Sequence, residues 1–495
     1  MEFEPVIGLE VHAELATQSK MFCTCRVVDS TVAAPNIAVC PVCAGMPGML
    51  PVVNRKAVEY GLRVALALDC QVNLTSIFAR KNYFYPDLPK GYQISQYELP
   101  LARHGCLSIT TSQGERTIHI RRVHLEEDTG KLTHIERGSG HSKRESYSLV
   151  DLNRAGVPLL EIVSEPDLHS AEEVRAYAMA LRSVLRYLGV NSGDMQKGVM
   201  RIEPNVSVRP VGSDQFGVRT EIKNLNSFRV LERSVDYEIN RQSATLRQGG
   251  QVVQETRGWD DSADRTFTQR IKEEEEDYRY FPEPDLPPLV VTPEWLDEIR
   301  GSLPELPAAK LQRFRSQYNL GSYDAAVLIA EPAVADFFEQ TILAAPEAMP
   351  KIVANWISGD LFGLLNQNGD TIEVGRINPQ ALGGLLELLV KGQINQTTAK
   401  MVLAEMYTSG ASAESIVTGR GLRQVSDASA VSAWVQRVLS ENPDQVKAYL
   451  AGKETITRWL FGQVMRLGQG KANPQIVQDE LNRQLEAIMR EHDLG

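Results

Sequence analysis

Residues 6–15 (VIGLEVHAEL) alternate between apolar and polar side chains near the start of the chain. The polar positions in this segment are Glu10, His12 and Glu14. Successive side chains of an extended strand point to opposite faces, so the segment predicts a strand with one core face and one face that carries two carboxylates and an imidazole. Such a face fits an edge strand that meets water, and it also fits half of a divalent-cation site.

Residues 119–128 (HIRRVHLEED) predict a second strand, which ends in three consecutive carboxylates. Glu127 shares its parity with apolar neighbours, whereas Glu126 and Asp128 share theirs with His124. Periodicity alone therefore does not decide which carboxylate faces a site.

Residues 200–209 and 220–225 predict two more strands with a polar face. The first places Glu203 and Asn205 on one face, and the second does the same for Glu221 and Lys223. Carboxylate oxygens with a few neutral ligands suit Mg²⁺, which proteins usually share with substrate phosphates and water. The chain contains neither GxxxxGK[ST] nor GxGxxG, so the polar faces favour a metal–nucleotide site of another kind.

Four of the six cysteines lie close together in the sequence, as Cys23, Cys25, Cys40 and Cys43. Two close pairs separated by a short loop are typical of a structural zinc site with four thiolates. Disulfides and inert thiols are the alternatives, and a reducing compartment disfavours disulfides. A closed site of this kind has no open position for chemistry, so it would brace a knuckle.

Residues 80–96 mix aromatic, amide and cationic side chains with proline and glycine. No regular period is visible, so the segment predicts an ordered loop. Loops this rich in specific polar groups often carry function, although a packed surface loop with buried tyrosines would have the same composition.

An antiparallel sheet can present polar faces openly when its other face packs on helices. Apolar residues recur at helical spacing after Asn54, which predicts a helix there. Ser170 and Glu173 form a capping box before a second predicted helix. Five prolines between residues 282 and 293 indicate a domain boundary near residue 290, beyond which the periodicity is helical. The predicted fold class is therefore α+β, followed by helical regions.

The chain has 495 residues, which is too long for one core and suggests two to four domains. Its net charge of −11 argues weakly against a nucleic-acid partner. Residues 411–495 nevertheless carry ten basic and ten acidic side chains, so the excess of acid lies before them. Neither a signal peptide nor an apolar run of membrane-spanning length is visible, and the expected location is the cytoplasm or an equivalent reducing compartment.

Long motifs follow one another in a set order over nearly the whole chain: IGLEVHAEL, CPVCAGMPG, RKNYFYPDLPKGYQISQ, VHLEEDTGK, DLNRAGVPLLEIVSEPD, RIEPNVSVRP, EIKNLNSF, DYRYFPEPDLPPL and GQVMRLGQGKANP. Together they resemble the B subunits of the aspartyl/glutamyl-tRNA(Asn/Gln) amidotransferases. The resemblance implies a heterotrimer, with an amidase as its A subunit and a small protein as its C subunit, that acts on mischarged tRNA. In it, the B subunit would use ATP and Mg²⁺ to phosphorylate the side-chain carboxylate of Glu-tRNA(Gln) or Asp-tRNA(Asn), and ammonia channelled from the amidase would displace the phosphate.

The resemblance also implies roles for residues of the polar faces. His12 and Glu127 correspond to Mg²⁺ ligands, with Glu10 as a third ligand and Glu203 as a further catalytic carboxylate beside them. Here the resemblance favours Glu127 over its two acidic neighbours. Candidates for contacts to the nucleotide or along the ammonia path are Lys81, Asn82, Tyr83, Asn205 and Lys223.

The architecture that the resemblance implies has three parts. A glutamine-synthetase-like antiparallel-sheet cradle over residues 1–290 would include the zinc knuckle, a helical domain would cover 291–410, and a YqeY-like helical tail over 411–495 would bind tRNA. One alternative is a non-catalytic, zinc-containing tRNA-binding scaffold whose polar strand faces are merely solvated. Another is a free-standing glutamine-synthetase-like ligase for a small acid, which would need no tRNA.

Overall fold

The structure is a computed structural model that describes residues 2–137, 145–271, 278–424, 428–453, 455–468 and 472–493. The chain divides into two compact units, Met1–Pro307 and Ala308–Gly495. The first unit mixes strands and helices, and the described part of the second unit is helical. The mixed α+β class with a helical region after it is confirmed.

The strands are β1 (Phe3–Glu14), β2 (Gln71–Val72), β3 (Thr75–Ser76), β4 (Ala79–Asn82), β5 (Tyr92–Ser95), β6 (Ala102–Thr111), β7 (Gly114–Glu127), β8 (Lys131–Arg137), β9 (Glu145–Asp151), β10 (Pro158–Ser164), β11 (Met200–Pro210), β12 (Thr220–Lys223), β13 (Glu255–Asp260), β14 (Arg265–Ile271), β15 (Arg279–Pro282) and β16 (Leu289–Val290). The four strands expected to carry a polar face correspond to β1, β7, β11 and β12. Residues 80–96 were expected to form a loop, and that expectation is wrong at both ends, where β4 and β5 pair with each other.

The helices of the first unit are α1 (Arg55–Ala67), α2 (Ala171–Tyr187), α3 (Phe228–Arg247) and α4 (Pro293–Gly301). Those of the second are α5 (Pro307–Gln317), α6 (Ser322–Ile329), α7 (Pro332–Ala344), α8 (Pro350–Asn355), a π-helix (Trp356–Leu361), α9 (Phe362–Asn368), α10 (Pro379–Val390), α11 (Gln396–Ser409), α12 (Ala413–Gly419), α13 (Ala428–Glu441), α14 (Pro443–Leu450), α15 (Ile456–Leu467) and α16 (Pro474–Asp493).

Among the described residues, nine strands form one large sheet in the order β14-β13-β12-β11-β1-β10-β7-β6-β2. Neighbours in it run antiparallel, except for β12 and β13, which are parallel. Helices α1, α2 and α3 contact the sheet on the face where Leu9, Val11 and Val206 are buried. The helices begin where side chains cap them: Asn54 accepts from two backbone amides of α1, and Ser170 accepts from Glu173 N of α2.

The opposite face of the large sheet is polar in its middle. His12 of β1 pairs with Arg201 of β11 on one side and with Glu161 of β10 on the other, and Glu161 pairs with His124 of β7. Residues directly opposite each other in a sheet point to the same face, so these four side chains form one row. A small sheet, β15-β4-β5, contacts β7 near the end of this row.

The first compact unit extends beyond the boundary expected near residue 290. Ile299 of α4 is buried in its core, with Trp295 and Leu296 packed against the same cluster, which is why the unit continues to Pro307. The second unit contains two hydrophobic clusters, one from Phe314 to Val417 and one from Val431 to Leu485. The buried Val417 of α12 belongs to the first of these clusters, so the division between the two lies after residue 417 rather than at 411. None of the described helices is long and apolar enough to cross a membrane.

Candidate active site

His12 lies at the centre of a cluster of acidic and imidazole groups on the polar face of the large sheet. Its Nε2 atom is 3.3 Å from an oxygen of Glu161 and 3.8 Å from one of Glu126. His124 Nε2 approaches the same two carboxylates, at 3.2 Å from Glu161 and 3.8 Å from Glu126. Ser95 of β5 donates a hydrogen bond to Glu126. His12, Glu126 and Glu161 are thus brought within the span of a single metal ion.

The charge of this first cluster is confined, because Glu126 and Glu161 are 2% and 5% exposed. Burial opposes protonation of His12, but the hydrogen bond and the charge of Glu161 outweigh it and raise the pKa of His12 to about 9. The Nδ1 atoms of His12 and His124 are buried and have no hydrogen-bond partner among the described residues. Buried polar groups are normally satisfied, so these orphaned atoms mark the cluster as incomplete.

A second acidic cluster lies beside the first, where Glu10, Glu203 and Glu221 come together from β1, β11 and β12. Burial and the negative charges of Glu161, Glu203 and Glu221 raise the pKa of Glu10. Lys223 donates to Glu203 at 3.0 Å and lies 3.1 Å from Glu221. The carboxylates therefore repel one another across a small space that a cation would stabilise.

Two hydroxyl or amide groups orient the second cluster. Asn205 Nδ2 donates to Glu10 at 3.1 Å, and Thr256 Oγ1 donates to Glu221 at 3.1 Å. Of the residues predicted from the sequence, Glu10, His12, Glu203, Asn205 and Lys223 are thus all brought to this face.

Glu127 does not join His12, and this corrects the ligand pair that the resemblance implied. In β7 it points to the face opposite that of Glu126, so Glu126 takes the place beside His12. The Glu127 carboxylate instead forms an ion pair with Lys90 and accepts the backbone amide of Ile94 at 2.9 Å. Glu126 shares its parity with His124, but Asp128 does so too, so parity alone left the choice open.

The Lys90–Glu127 pair lines the inner side of a cavity of about 190 Å³ next to the cysteine segment. Its other walls include Phe22, Ile94 and the turn formed by residues 45–49. The cavity therefore lies between the cysteine segment and the strand that carries Glu126.

Cations surround the first cluster. Arg122 of β7 is 3.7 Å from Glu161, and Arg201 of β11 donates to Asp128 at 2.9 Å. Lys81 of β4 is half-buried, and the negative charges of Glu126 and Glu161 raise its pKa against the effect of desolvation. An anion placed over the row would meet several positive charges as well as the acidic groups.

The remaining candidates lie on the small sheet and have different surroundings. Tyr83 follows β4, and its hydroxyl donates to Gln93 at 3.2 Å. Asn82 hydrogen-bonds backbone oxygens of Arg80 and Arg279, so its amide joins β4 to β15 and does not reach either acidic cluster.

Sequence reasoning missed Glu161 as a site residue because it lies in the apolar segment PLLEIVS, which predicts only a buried strand. A single carboxylate in such a segment was the available signal, since an unpaired buried charge is costly. His124 and Glu221 were noted on polar strand faces, but their place in the site follows only from the register between strands that are distant in sequence.

The four cysteines come together as their spacing predicted. The Sγ atoms of Cys23, Cys25, Cys40 and Cys43 lie within 4.8 Å of one another. A hydrogen bond from the Cys23 thiol lowers the pKa of Cys43 to about 4, although burial opposes this. The buried Lys20 ammonium is 3.6 Å from Cys43 Sγ. A four-thiolate metal site needs thiolates at this spacing, so the residues present fit a zinc ion.

The chain is similar to known proteins over nearly its whole length. Residues 5–297 match the sequence model of the GatB/GatE catalytic domain, and residues 336–485 match that of the GatB domain. A protein of Moorella thermoacetica is 51% identical over 487 residues, which is 98% of this chain and 100% of that protein. Proteins of Thermodesulfovibrio yellowstonii and Myxococcus xanthus are each 50% identical, covering 97% and 98% of this chain and 98% and 99% of their own lengths. All three are named as the B subunit of an aspartyl/glutamyl-tRNA(Asn/Gln) amidotransferase.

Proposed function

Because the chain belongs to the family of aspartyl/glutamyl-tRNA(Asn/Gln) amidotransferase B subunits, we propose that it activates the side-chain carboxylate of glutamate or aspartate attached to tRNA and converts it to the amide. ATP would phosphorylate the carboxylate, and ammonia would then displace the phosphate. The products would be Gln-tRNA(Gln), Asn-tRNA(Asn) or both.

One observation carries this proposal: the polar face of the large sheet holds two acidic clusters side by side, with cations around them. Glu126 and Glu161 are buried, which argues against a scaffold whose polar strand faces are merely solvated. Phosphoryl transfer needs positioning and charge neutralisation more than covalent help from the protein. This face supplies both.

The residues present fit Mg²⁺, as the sequence suggested, but the ligands differ from those that the resemblance implied. His12, Glu126 and Glu161 would hold one ion, and Glu10, Glu203 and Glu221 offer a second oxygen-rich position. A bound Mg²⁺ would neutralise the phosphate oxygens of ATP during transfer. Asn205 and Thr256 would keep the second set of carboxylates oriented.

The chemistry follows from the leaving group. A carboxylate does not react with ammonia because oxide is a poor leaving group, whereas an acyl phosphate releases phosphate readily. In the first step a carboxylate oxygen bonds to the γ-phosphorus and ADP leaves. In the second step ammonia bonds to the acyl carbon, phosphate leaves, and a proton is lost from nitrogen. Lys81, Arg122 and Lys223 would stabilise the negative charge that moves between these groups.

Ammonia must reach the acyl phosphate before water does. Lys90 and Glu127 line a cavity next to the strand that carries Glu126, and this cavity would be the entrance for ammonia formed elsewhere. We therefore propose that the chain assembles with two further proteins, an amidase as the A subunit and a small protein as the C subunit. The relatives are named as B subunits, which agrees with a complex of several chains.

A zinc ion held by the four cysteines would brace the segment that lines this cavity. Cys23 and Cys43 are among the residues that form its wall, so the metal would fix the cavity rather than take part in the reaction. The helical part after residue 417 would bind the tRNA, for which its balanced charge is less unfavourable than that of the rest of the chain.

The test is an assay with the assembled complex, ATP and ammonium chloride in place of glutamine, so that the amidase step is bypassed. ATP consumption should depend on mischarged tRNA, and amide should form in proportion to the ATP used. Glu-tRNA(Gln) and Asp-tRNA(Asn) are compared in parallel, with correctly charged Gln-tRNA(Gln) as the control. ATP consumption that is the same with and without mischarged tRNA would refute the proposal, and amidation of free glutamate would favour a ligase for a small acid.

A further inference from the structure

Lys81 has a half-buried side chain whose ammonium group is surrounded by aromatic rings. It is the third residue of β4, and its side chain is directed to the polar face by its place in the small sheet, where it pairs with Tyr280 of β15 and Gln93 of β5. No carboxylate lies within ion-pair distance of its Nζ atom in the described part of the chain. Its attraction to Glu126 and Glu161 therefore acts at longer range.

Tyrosine rings hold this ammonium group directly. Lys81 Nζ lies 4.8 Å from the ring centroid of Tyr278 and 5.9 Å from that of Tyr83. The two rings meet edge to face at 5.6 Å. A cation over the face of a tyrosine is attracted by the ring quadrupole, and the attraction is strongest where water is excluded.

These rings are fixed by contacts of their own. Tyr278 packs against Tyr280, which is stacked on Tyr97 with ring centroids 4.2 Å apart. Tyr83 donates to Gln93, whose Nε2 atom donates to the backbone oxygen of Glu127 at the end of β7. The rings are thus tied to the strand that carries Glu126.

We propose that Tyr278 and Tyr83 are positioning residues that hold the Lys81 ammonium over the first acidic cluster, where it meets the negative charge of the phosphoryl group during transfer. The aromatic rings attract the cation without neutralising it, so its full charge remains for the substrate. A carboxylate at the same place would hold the lysine equally well but would cancel that charge. This inference rests on the proposed function and adds to it the residues that place its cation.

The experiment uses the assembled complex with ammonium as nitrogen donor and measures kcat and KM for ATP. Tyr278→Phe keeps the ring face and Tyr278→Leu removes it, and a trifluorinated phenylalanine at position 278 keeps the ring size but withdraws its electrons. Tyr237→Leu is the matched control, because Tyr237 is also half-buried and packs edge to face on an aromatic ring, that of Trp259.

We expect Tyr278→Phe to retain kcat within about twofold, and Tyr278→Leu and the trifluorinated ring to lose about tenfold or more. KM for ATP should change less than kcat, because the cation acts on charge that develops in transfer. Lys81→Met should lose at least as much as Tyr278→Leu, and Tyr237→Leu should match the wild type.

Equal activity of the phenylalanine and trifluorinated variants would overturn the inference, because a merely structural ring needs only its shape. A fully active Tyr278→Leu complex would also overturn it and would leave the proposed function intact. A wild-type complex that forms amide without consuming ATP would refute the proposed function and this inference together.

Discussion

The two buried carboxylates of the first cluster, Glu126 and Glu161, are the residues on which the account depends most. They lie beside two imidazoles on a sheet face from which water is largely excluded. Removing charged groups from water is costly unless they are paired or bind a metal. His12 and His124 compensate part of this charge in the protein itself, and a divalent cation would complete the compensation.

The revised ligand set gives a direct prediction for neighbouring residues. Glu126→Gln should weaken binding of Mn²⁺, used as a spectroscopic substitute for Mg²⁺, by about tenfold or more, because it removes a charged ligand. Glu127→Gln, at the adjacent position but on the Lys90 side, should change that affinity by about twofold at most. Electron paramagnetic resonance of free Mn²⁺ measures both affinities. Weaker binding in Glu127→Gln alone would restore the ligand that the resemblance implied.

At the scale of residues, alternation along the sequence predicted which side chains share a face, and Glu10, His12 and Glu203 lie as expected. Alternation could not predict Glu161 as a site residue. A strand that is buried on both faces has an apolar sequence, and that sequence does not show whether its single polar residue belongs to a site. The choice of Glu127 came from the resemblance alone, because parity left Glu126, Glu127 and Asp128 open. The register of distant strands decided the question, and register is not visible in one segment.

At the scale of elements, several hydrogen bonds join the cysteine segment to the rest of the first unit, among them those of Asn36 with Val150, Asp151 and Leu152. Lys20 contacts Cys43 and donates to the backbone oxygen of Leu152, and Asn54 donates to the backbone oxygen of Ser19. Much of the segment between Arg26 and Pro51 is exposed. A metal ion held by the four thiolates is expected to add to the stability that these contacts give, because metal-binding energy at such a site is folding energy.

Purified protein should contain about one zinc per chain, as a closed four-thiolate site requires. Cys40→Ser should lower the zinc content and the melting temperature, whereas Cys106→Ser, outside the cluster, should leave the zinc content unchanged. Metal analysis of freshly purified protein by mass spectrometry gives the stoichiometry. Four freely titratable thiols and no bound metal would contradict this assignment.

A second element-scale prediction concerns the packing of α5 on α7 in the second unit. Arg313 donates to Glu339 at 3.0 Å, and Tyr318 donates to the same carboxylate at 2.8 Å. The hydrogen bonds from Arg313 lower the pKa of Glu339 despite its partial burial. Because the folded pKa lies below the unfolded one, this contribution is present above about pH 4.5 and is lost as the pH falls below it.

The contribution is expected to be at most about 1 kcal/mol, since the group is partly exposed and solvent screens it. Hydrogen exchange of the α5 and α7 amides, corrected for the intrinsic effect of pH, should show weaker protection at pH 3.5 than at pH 6 in the wild type. In Glu339→Gln that difference should shrink. Equal pH dependence in the two proteins would show that Glu339 does not link α5 to α7 in this way.

Helices and their starts were the elements best predicted from the sequence. Asn54 and Ser170 lie directly before α1 and α2, because capping is local chemistry. The pairing of β4 with β5 and β15 was not predicted, since β15 lies nearly 200 residues later in the chain. Only folding brings Tyr280 of β15 and the neighbouring Tyr278 to Lys81.

At the scale of the whole molecule, the hydrophobic cluster from Val431 to Leu485 is separate enough to be removed without cutting into the cluster from Phe314 to Val417. The later cluster begins at Val431, whereas the last buried residue of the earlier one is Val417. Deleting residues 428–495 should therefore leave the other helices intact. A deletion from residue 411 would instead remove Ile416 and Val417 from the hydrophobic cluster that begins at Phe314.

The truncated protein should bind tRNA more weakly and with a smaller dependence on salt, because each lost phosphate contact reduces the slope by about one. Filter binding over a series of salt concentrations would measure both quantities. Mn²⁺ binding should be unchanged and serves as the control for folding. Unaltered tRNA affinity and salt slope would mean that the tRNA is bound elsewhere on the chain.

The central claim is that the polar face transfers a phosphoryl group to the carboxylate of tRNA-bound glutamate or aspartate. The most direct measurement uses mischarged tRNA whose side-chain carboxylate carries oxygen-18, together with ATP and ammonium. The account predicts that amide formation moves one labelled oxygen into the released phosphate, and that Glu126→Gln lowers the rate of this transfer by about a thousandfold. Amide formed with unlabelled phosphate would contradict it, because no acyl phosphate would then have been made.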